Sequence, residues 1–448
     1  MAGIAGIAES GAEEKVNGML DKIRHRGKTG KVIFETNNAT FGIVWNDGES
    51  GSVKKHIAEG AAGYENSPGH YAEVKAEADN IFMMRDLTGA APLYFGRDNN
   101  GRLCFASEVK ALLPVTTAIT EMPPGYTFDG TILKPVNKIR TRPHPDDDPE
   151  LTASKVYRLL NQAVARVIRS DHAGAWLSGG LDSSTISALV SKFTNRLSTF
   201  VAGLKDAPDV RFAREVADFI GSEHHEVVVN LKDLIKALPD VIYHLESFDA
   251  LLVRSAITNY LVSEVASRHV GEVFSGEGGD ELFAGYDYLR SIPHEDLEGE
   301  LENITSSLHN TALQRVDRCA SAFGLVAHTI FTEPEIVEFA FSIPVEYKIR
   351  DATGKWILRK AMEGHLPDKV INRQKAKFWE GTGVGELMSE HASGEITDAE
   401  FKYERLLPGG FIINSKEELY YYRIFRDHFG PDIDLSWMGR TKGSPVEP

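Results

Sequence analysis

Along residues 1–140 the apolar positions come in short β-prone runs, broken every few residues by Gly, Asn or Asp. Lys31 to Glu35, Thr40 to Trp45, Ile81 to Met84, Leu93 to Phe95 and Leu103 to Ala106 read as strands, and helical spacing predicts one early helix over Ala12 to Arg24. That pattern predicts a mostly antiparallel, layered domain. The stretch Thr141-Arg-Pro-His-Pro-Asp-Asp-Asp-Pro149 cannot hold a helix or a central strand, so residues 141–150 are expected to be a linker. From Leu151 the period alternates: a helix over 151–168, a strand into a glycine-rich turn, a helix opening near Ser183, a strand at Ser198 to Gly203, a helix at 209–220 and a strand at Glu223 to Val229. Such alternation predicts an α/β fold with a doubly wound parallel sheet and ligands at the carboxyl ends of its strands. Beyond about residue 290 the pattern is mainly helical to residue 438, and 439–448 is expected to be a disordered tail. There are no internal repeats.

Composition narrows the class. A chain of 448 residues with 42% apolar and 25% charged residues suits two soluble domains, each with its own core. It has no run of 18 apolar residues and no basic stretch leading into an apolar core at its start, so neither a membrane span nor a secretory signal is predicted. Two cysteines, Cys104 and Cys319, cannot build a disulfide framework or a metal cluster; both are expected as small core residues in a reducing, cytoplasmic setting. The net charge of −16 argues against a nucleic-acid partner and for a small-molecule substrate.

Candidate chemistry begins at Ala175-Trp-Leu-Ser-Gly-Gly-Leu-Asp-Ser-Ser184. Here an apolar strand meets two glycines and a helix start, an arrangement whose backbone N–H groups can close on an anion. Ser178, Ser183 and Ser184 supply hydroxyl donors beside Gly179 and Gly180, and Asp182 suits Mg²⁺. The Gly-Lys-Ser/Thr ending of a Walker A loop is missing. A second run, Glu272-Val-Phe-Ser-Gly-Glu-Gly-Gly-Asp-Glu281, repeats the logic, so Asp182 and Asp280 on two strand ends can share a Mg²⁺–pyrophosphate. Leu204 to Val210 and Ser222 to Glu226 also fall at strand ends. For His224 and His225 a structural role is as well supported as a functional one.

The first loop resembles the pyrophosphate loop of N-type ATP pyrophosphatases, and the wider set resembles the synthetase domain of the asparagine synthetase family. The carrying residues are 178–184, Pro208-Asp209, Gly221 to Glu226, Ile242 to Asp249 with Arg254, Ser275 to Glu281, Gly354-Lys-Trp-Ile-Leu-Arg359 and Arg373-Gln-Lys375. The resemblance implies that Ser178, Gly179, Gly180, Asp182, Ser183, Ser184, Asp209, Gly276 and Lys375 bind ATP and pyrophosphate. It further implies that Asp182 and Asp280 hold Mg²⁺, that Lys375 and Glu277 are catalytic, and that Arg254, Arg359 and Glu277 bind the carboxylate substrate. A homodimer is implied too, with nothing in this chain demanding it.

Residues 1–140 resemble the family's layered αββα glutaminase in Met1 to Ile7, His25-Arg-Gly27, Arg85 to Tyr94 and Phe105 to Leu112. The family places a nucleophilic cysteine after the initiator Met; this chain has Ala2, and a methyl cannot attack glutamine. The Asn-Gly-Glu-type segment and the residues that grip glutamine are not recognisable either. One engineered Cys→Ala exchange would not remove them all, so natural loss of glutaminase activity is expected.

A further departure is Gly324-Leu-Val-Ala-His-Thr-Ile-Phe-Thr-Glu333, where the family reads Gly-X-Glu-Ala-Arg-X-Pro-Phe-Leu-Asp. Val326 cannot act as the proton-handling glutamate. His328 can supply a base, or be a buried structural histidine. Lys377 to Gly383 resembles the β-lactam synthetases instead, while Ser275 to Asp280 keeps the asparagine synthetase form. The expected function is therefore an AMP-forming amide synthetase that joins a small carboxylate, aspartate by default, to ammonia or an amine without hydrolysing glutamine. The alternatives are intramolecular closure of a β-lactam type, a non-catalytic nucleotide-binding homologue, and glutamine-dependent synthesis disabled by an altered residue 2.

Overall fold

The computed structural model of the chain describes residues 1–77, 80–136, 138–139, 148–373 and 381–443. The first half stacks two antiparallel sheets. One orders its strands Gly30–Glu35, Thr40–Trp45, Gly3–Ile7, Leu103–Ala106, Tyr94–Arg97, Ile119–Glu121. The other runs Leu133–Pro135, Tyr126–Phe128, Asn80–Arg85, His70–Glu77, Ala61–Ser67. Ile4, Phe41, Ile43, Tyr64, Val74, Met83 and Phe105 fill the space between them. The predicted strands recur with near-identical bounds, whereas Ala61–Ser67 and His70–Glu77 were not legible. Their inward positions are mostly small, such as Ala62 and Ala72, so alternation gives little apolar signal. The helix Glu13–Lys22 lies on the outer face of the first sheet through Val16, Met19 and Leu20, and a second helix, Ser50–Ala58, was not predicted.

The second half holds a five-stranded parallel sheet ordered Glu223–Val229, Arg196–Leu204, His172–Trp176, Glu272–Ser275, Val326–Thr329. The chain leaves the central strand His172–Trp176 on one side and returns on the other. The crevice between it and Glu272–Ser275 is thus a topological switch point, where α/β sheets take ligands. Helices Pro149–Val167, Leu181–Val190, Pro208–Ile220 and Ala250–Ala266 cover the sheet.

Two local readings change. The first helix of this half starts at Pro149, inside the expected linker, because the Asp148 side chain accepts from the Leu151 N–H at 2.8 Å and proline needs no donor in a first turn. Residues 326–329 form a fully buried edge strand, a run too short to stand out from the helical pattern around it. Cys104 and Cys319 are both buried. Among the described residues no helix is long and apolar enough to cross a membrane.

Candidate active site

The carboxyl ends of the two central strands enclose a cavity of about 790 Å³. Its floor is made by two glycine turns packed against each other. A Cβ at Gly276 would sit 2.6 Å from the backbone nitrogen of Ser183, and one at Gly279 would sit 2.6 Å from Cγ of Asp182. Only glycine lets the second turn approach the first so closely. Gly179, at φ +69°, turns the first loop against Phe212. Within that loop Ser183 Oγ lies 3.1 Å from Ser178 Oγ and accepts from the Ser178 N–H at 3.2 Å. The helix Leu181–Val190 opens directly behind it, with its first N–H groups at the cavity.

Asp182 and Asp280 converge. The ammonium of Lys355 lies 2.5 Å from Oδ2 of Asp182 and 2.5 Å from Oδ1 of Asp280, so one cation is shared by both carboxylates. Lys355 is buried and reaches in from a left-handed backbone (φ 56°) at the start of the helix Trp356–Ala361. On the opposite wall Arg373 donates to Asp209 at 2.6 Å and to the Ser178 carbonyl at 3.1 Å while stacking over Phe212. Glu277 is paired with Arg315. Arg359 lines the cavity, but its guanidinium donates to the carbonyls of Gly354, Ile371 and Arg373. It thereby fixes the backbone that leads towards Lys375. Lys375 itself falls outside the described residues, and Arg373 and Thr382, which precede and follow residues 374–380, both line the cavity.

Of the sequence candidates, Ser178, Gly180, Asp182, Ser183, Asp209, Gly276, Glu277, Asp280 and Arg359 line one cavity. Three do not. Ser184 is fully buried: one residue beyond Ser183 is 100° around the helix, which turns its hydroxyl to the core. Arg254 points away and is held by Glu417. His328, expected as a base, is fully buried, with Nδ1 3.1 Å from Ser67 Oγ and Nε2 3.2 Å from Glu272 Oε2. Burial pushes its pKa down, against the opposing pull of Glu272. It pins the edge strand to the front domain and does not line the cavity. Sequence reasoning missed Lys355 and Arg373 as site residues, although they sit inside the runs 354–359 and 373–375 that carry the family resemblance. It missed Arg315 because a helix of mixed polarity gives no signal.

The front half meets the second half through a different arrangement. Ala2 is fully buried, its N–H donating to Glu49 at 2.5 Å, and the Met1 ammonium donates to the Leu325 carbonyl at 3.0 Å. Arg26 donates to Glu108 at 2.7 Å and to both oxygens of Asp317 at 2.7 and 2.8 Å. Lys110 pairs with Glu108 and with Glu246 at 3.0 Å, and Arg318 pairs with Glu246 at 3.0 Å and Asp317 at 2.8 Å. Burial alone would neutralise Asp317, but Arg26 beside it outweighs burial and holds its carboxyl below the ordinary range.

Comparison with known proteins agrees with this geometry. The asparagine synthase family model matches residues 155–301 and 293–435, and a glutamine amidotransferase domain model matches 52–127, leaving the Ala2 end outside that match. Asparagine synthetase B [glutamine-hydrolyzing] of Escherichia coli (strain K12) is 32% identical over 390 residues, 80% of this chain and 69% of its own length. Asparagine synthetase [glutamine-hydrolyzing] 2 of Lotus japonicus is 33% identical over 384 residues, 79% of this chain and 64% of its own length. A solved NMN synthetase from Francisella tularensis, at 11% identity and TM-score 0.31 over 65% of this chain and 99% of its own, is too remote to bear on function.

Proposed function

This chain belongs to the asparagine synthase family of AMP-forming carbon–nitrogen ligases, and from that premise we propose that it activates a small carboxylate with ATP and captures it with free ammonia or an amine. The observation that carries the proposal is the pair of interlocked glycine turns that brings Asp182, Asp280 and Lys355 together in one cavity. The helix start at Gly180, with the Ser178 and Ser183 hydroxyls, suits the β and γ phosphates of ATP. Asp182 and Asp280 are oxygen donors already converging on the ammonium of Lys355, and carboxylate oxygens are the donors Mg²⁺ takes. They would hold the ion, whose charge offsets that of the departing pyrophosphate.

The substrate carboxylate attacks the α-phosphorus, the bond to the β-phosphate oxygen breaks, and an acyl adenylate and pyrophosphate result. A nitrogen lone pair then attacks the acyl carbon, a proton leaves the nitrogen, and AMP departs to give the amide. Lys355 keeps the two aspartates from repelling one another before the nucleotide arrives. Arg373 holds the Asp209 turn against the first loop, so both sides of the phosphate site are fixed in advance. Glu277 and Arg315 offer opposite charges on the wall beyond the loop, suited to the amino and carboxylate groups of an amino acid.

Ammonia from solution, in place of glutamine, is supported by the buried methyl of Ala2 and by the charge-paired side chains that fill the space between residue 2 and the second half. The relatives named above are glutamine-hydrolyzing by name, so the nitrogen source is the point to test. ATP–pyrophosphate exchange with a panel of acids led by aspartate, followed by product analysis with ammonium or glutamine, decides it. Exchange with aspartate and asparagine formation from ammonium only is the expected result. Equal use of glutamine overturns the ammonia reading. Exchange with another acid alone moves the substrate to a different amide or lactam precursor, and no exchange with any acid leaves a nucleotide-binding homologue.

A further inference from the structure

At the amino-terminal edge of the parallel sheet, the opposite end of the strands from the cavity, three ligand-type side chains meet. Glu223 and His225 stand two residues apart on the edge strand and so share one face. His269 enters from the turn after the helix Ala250–Ala266. One ligand atom from each of the three lies within 4.8 Å of the others. His225 Nε2 is 3.4 Å from Glu223 Oε1, and the His225 and His269 rings are 4.2 Å apart between centroids. Phe200 stacks on His225 at 4.9 Å and fixes its ring. Nε2 of His225 is buried and makes no hydrogen bond, an arrangement a protein interior rarely leaves without a use. Arg196 holds Oε2 of Glu223 at 2.9 Å, which turns Oε1 towards the histidines.

We propose that Glu223, His225 and His269 bind one divalent transition-metal ion of the zinc class, with water completing the shell. Two imidazoles and one carboxylate favour Zn²⁺ over Mg²⁺ or Ca²⁺, which take oxygen ligands. Metal–ligand bonds of about 2.0–2.2 Å in a tetrahedral shell place ligand atoms roughly 3.3–3.6 Å apart, so the three groups need to close by at most about 1.5 Å, within reach of side-chain rotation. Glu223 and His269 are exposed, which leaves the ion a way in. Bound there, the ion ties the edge strand to the turn that feeds Glu272–Ser275, whose far end carries Gly276 and Asp280. It clamps the sheet without entering the ligase chemistry.

Calorimetric titration of the full chain with ZnCl₂, alongside thermal melts with Zn²⁺ or Mg²⁺, tests this. The expected result is one ion per chain and a melting temperature raised by Zn²⁺ and not by Mg²⁺. His269→Ala, at an exposed position, weakens Zn²⁺ binding by at least about tenfold and abolishes the shift. Glu223→Gln weakens it as well, and Asp182→Asn in the cavity leaves it intact. No Zn²⁺ binding by the unaltered chain, binding undiminished in both His269→Ala and His225→Ala, or binding lost in Asp182→Asn would each overturn the site.

Discussion

The seam between the two halves and the cavity of the second half are built from the same kinds of side chain, used in opposite ways. In the seam every charge is matched from across the interface: Arg26, Glu108 and Lys110 from the front half interleave with Glu246, Asp317 and Arg318 from the back. All six are nearly or wholly buried. Such a network fixes one relative placement of the halves, while its charges cancel and leave no field to act on a substrate. In the cavity, glycine turns force like charges together. Asp182 and Asp280 both reach the ammonium of Lys355, so the site gathers acceptor oxygens of a kind that a cation or a polyphosphate–metal complex can use. The front-half charges Arg26, Glu108 and Lys110 are thus spent on a matched seam, whereas the carboxylates of the cavity stand side by side in the second half.

The largest effect that would break this contrast is in the seam. Asp317→Ala leaves Arg26 and Arg318 buried without their shared carboxylate and is expected to cost about 3–5 kcal/mol of stability, read as a lowered urea midpoint. Folded protein that remains should keep its pyrophosphate exchange; a selective loss of exchange would mean that the seam also serves the chemistry. The mirror experiment is Asp182→Asn. It removes one of two converging negative charges and should reduce exchange by about 10²–10³ while leaving the urea midpoint near that of the unaltered chain. A variant that exchanges normally would show that the cavity carboxylates are structural after all.

Much of the cavity was legible because its requirements are local. Backbone approach without a Cβ demands Gly at 179, 276 and 279, and the phosphate loop demands a strand before it and a helix after it, all within a few residues. The seam was not legible, since its ion pairs join residues as far apart as Arg26 and Asp317, and no periodicity in either segment announces a partner so remote. The same limit explains the three misplaced candidates. Arg254 and His328 stand within motifs that belong to the site, but which way each side chain turns depends on Glu417 in one case and on Ser67 and Glu272 in the other. Ser184 shows a narrower limit: a motif names consecutive residues, whereas a helix presents only some of them to one side.

A third test uses acid. Burial works against the charge of Glu121, but His309 at 2.7 Å and Arg85 at 2.7 Å outweigh it and hold the carboxyl down at about 2. The unfolded chain protonates this group near its ordinary value of 4.5. The pKa is therefore lowered on folding, so the contribution is fully present above about pH 4.5 and is lost as pH falls towards 2. Glu121→Gln should flatten the acid limb of stability in that window and cost about 1.5–3 kcal/mol at neutral pH, where hydrogen bonds to charged partners are given up. An unchanged acid limb would assign the acid sensitivity to other buried carboxylates, such as Asp317 of the seam.

The smallest effect decides what His328 is for. As a structural histidine it links Ser67 of the front half to Glu272 of the back, and it holds the edge strand in register opposite Phe274. Gln can keep one of those two hydrogen bonds but not both at imidazole spacing, so His328→Gln should cost about 1–2 kcal/mol of stability. The pH profile of amide formation should not move, because this ring is buried away from the cavity lining. A base at this position would give the opposite pattern: rates falling by about 10²–10⁴ and the acidic limb of the profile lost, with stability little changed. Measuring melting and the pH–rate profile on the same preparation separates the two, since each reading predicts a change in the quantity the other leaves alone.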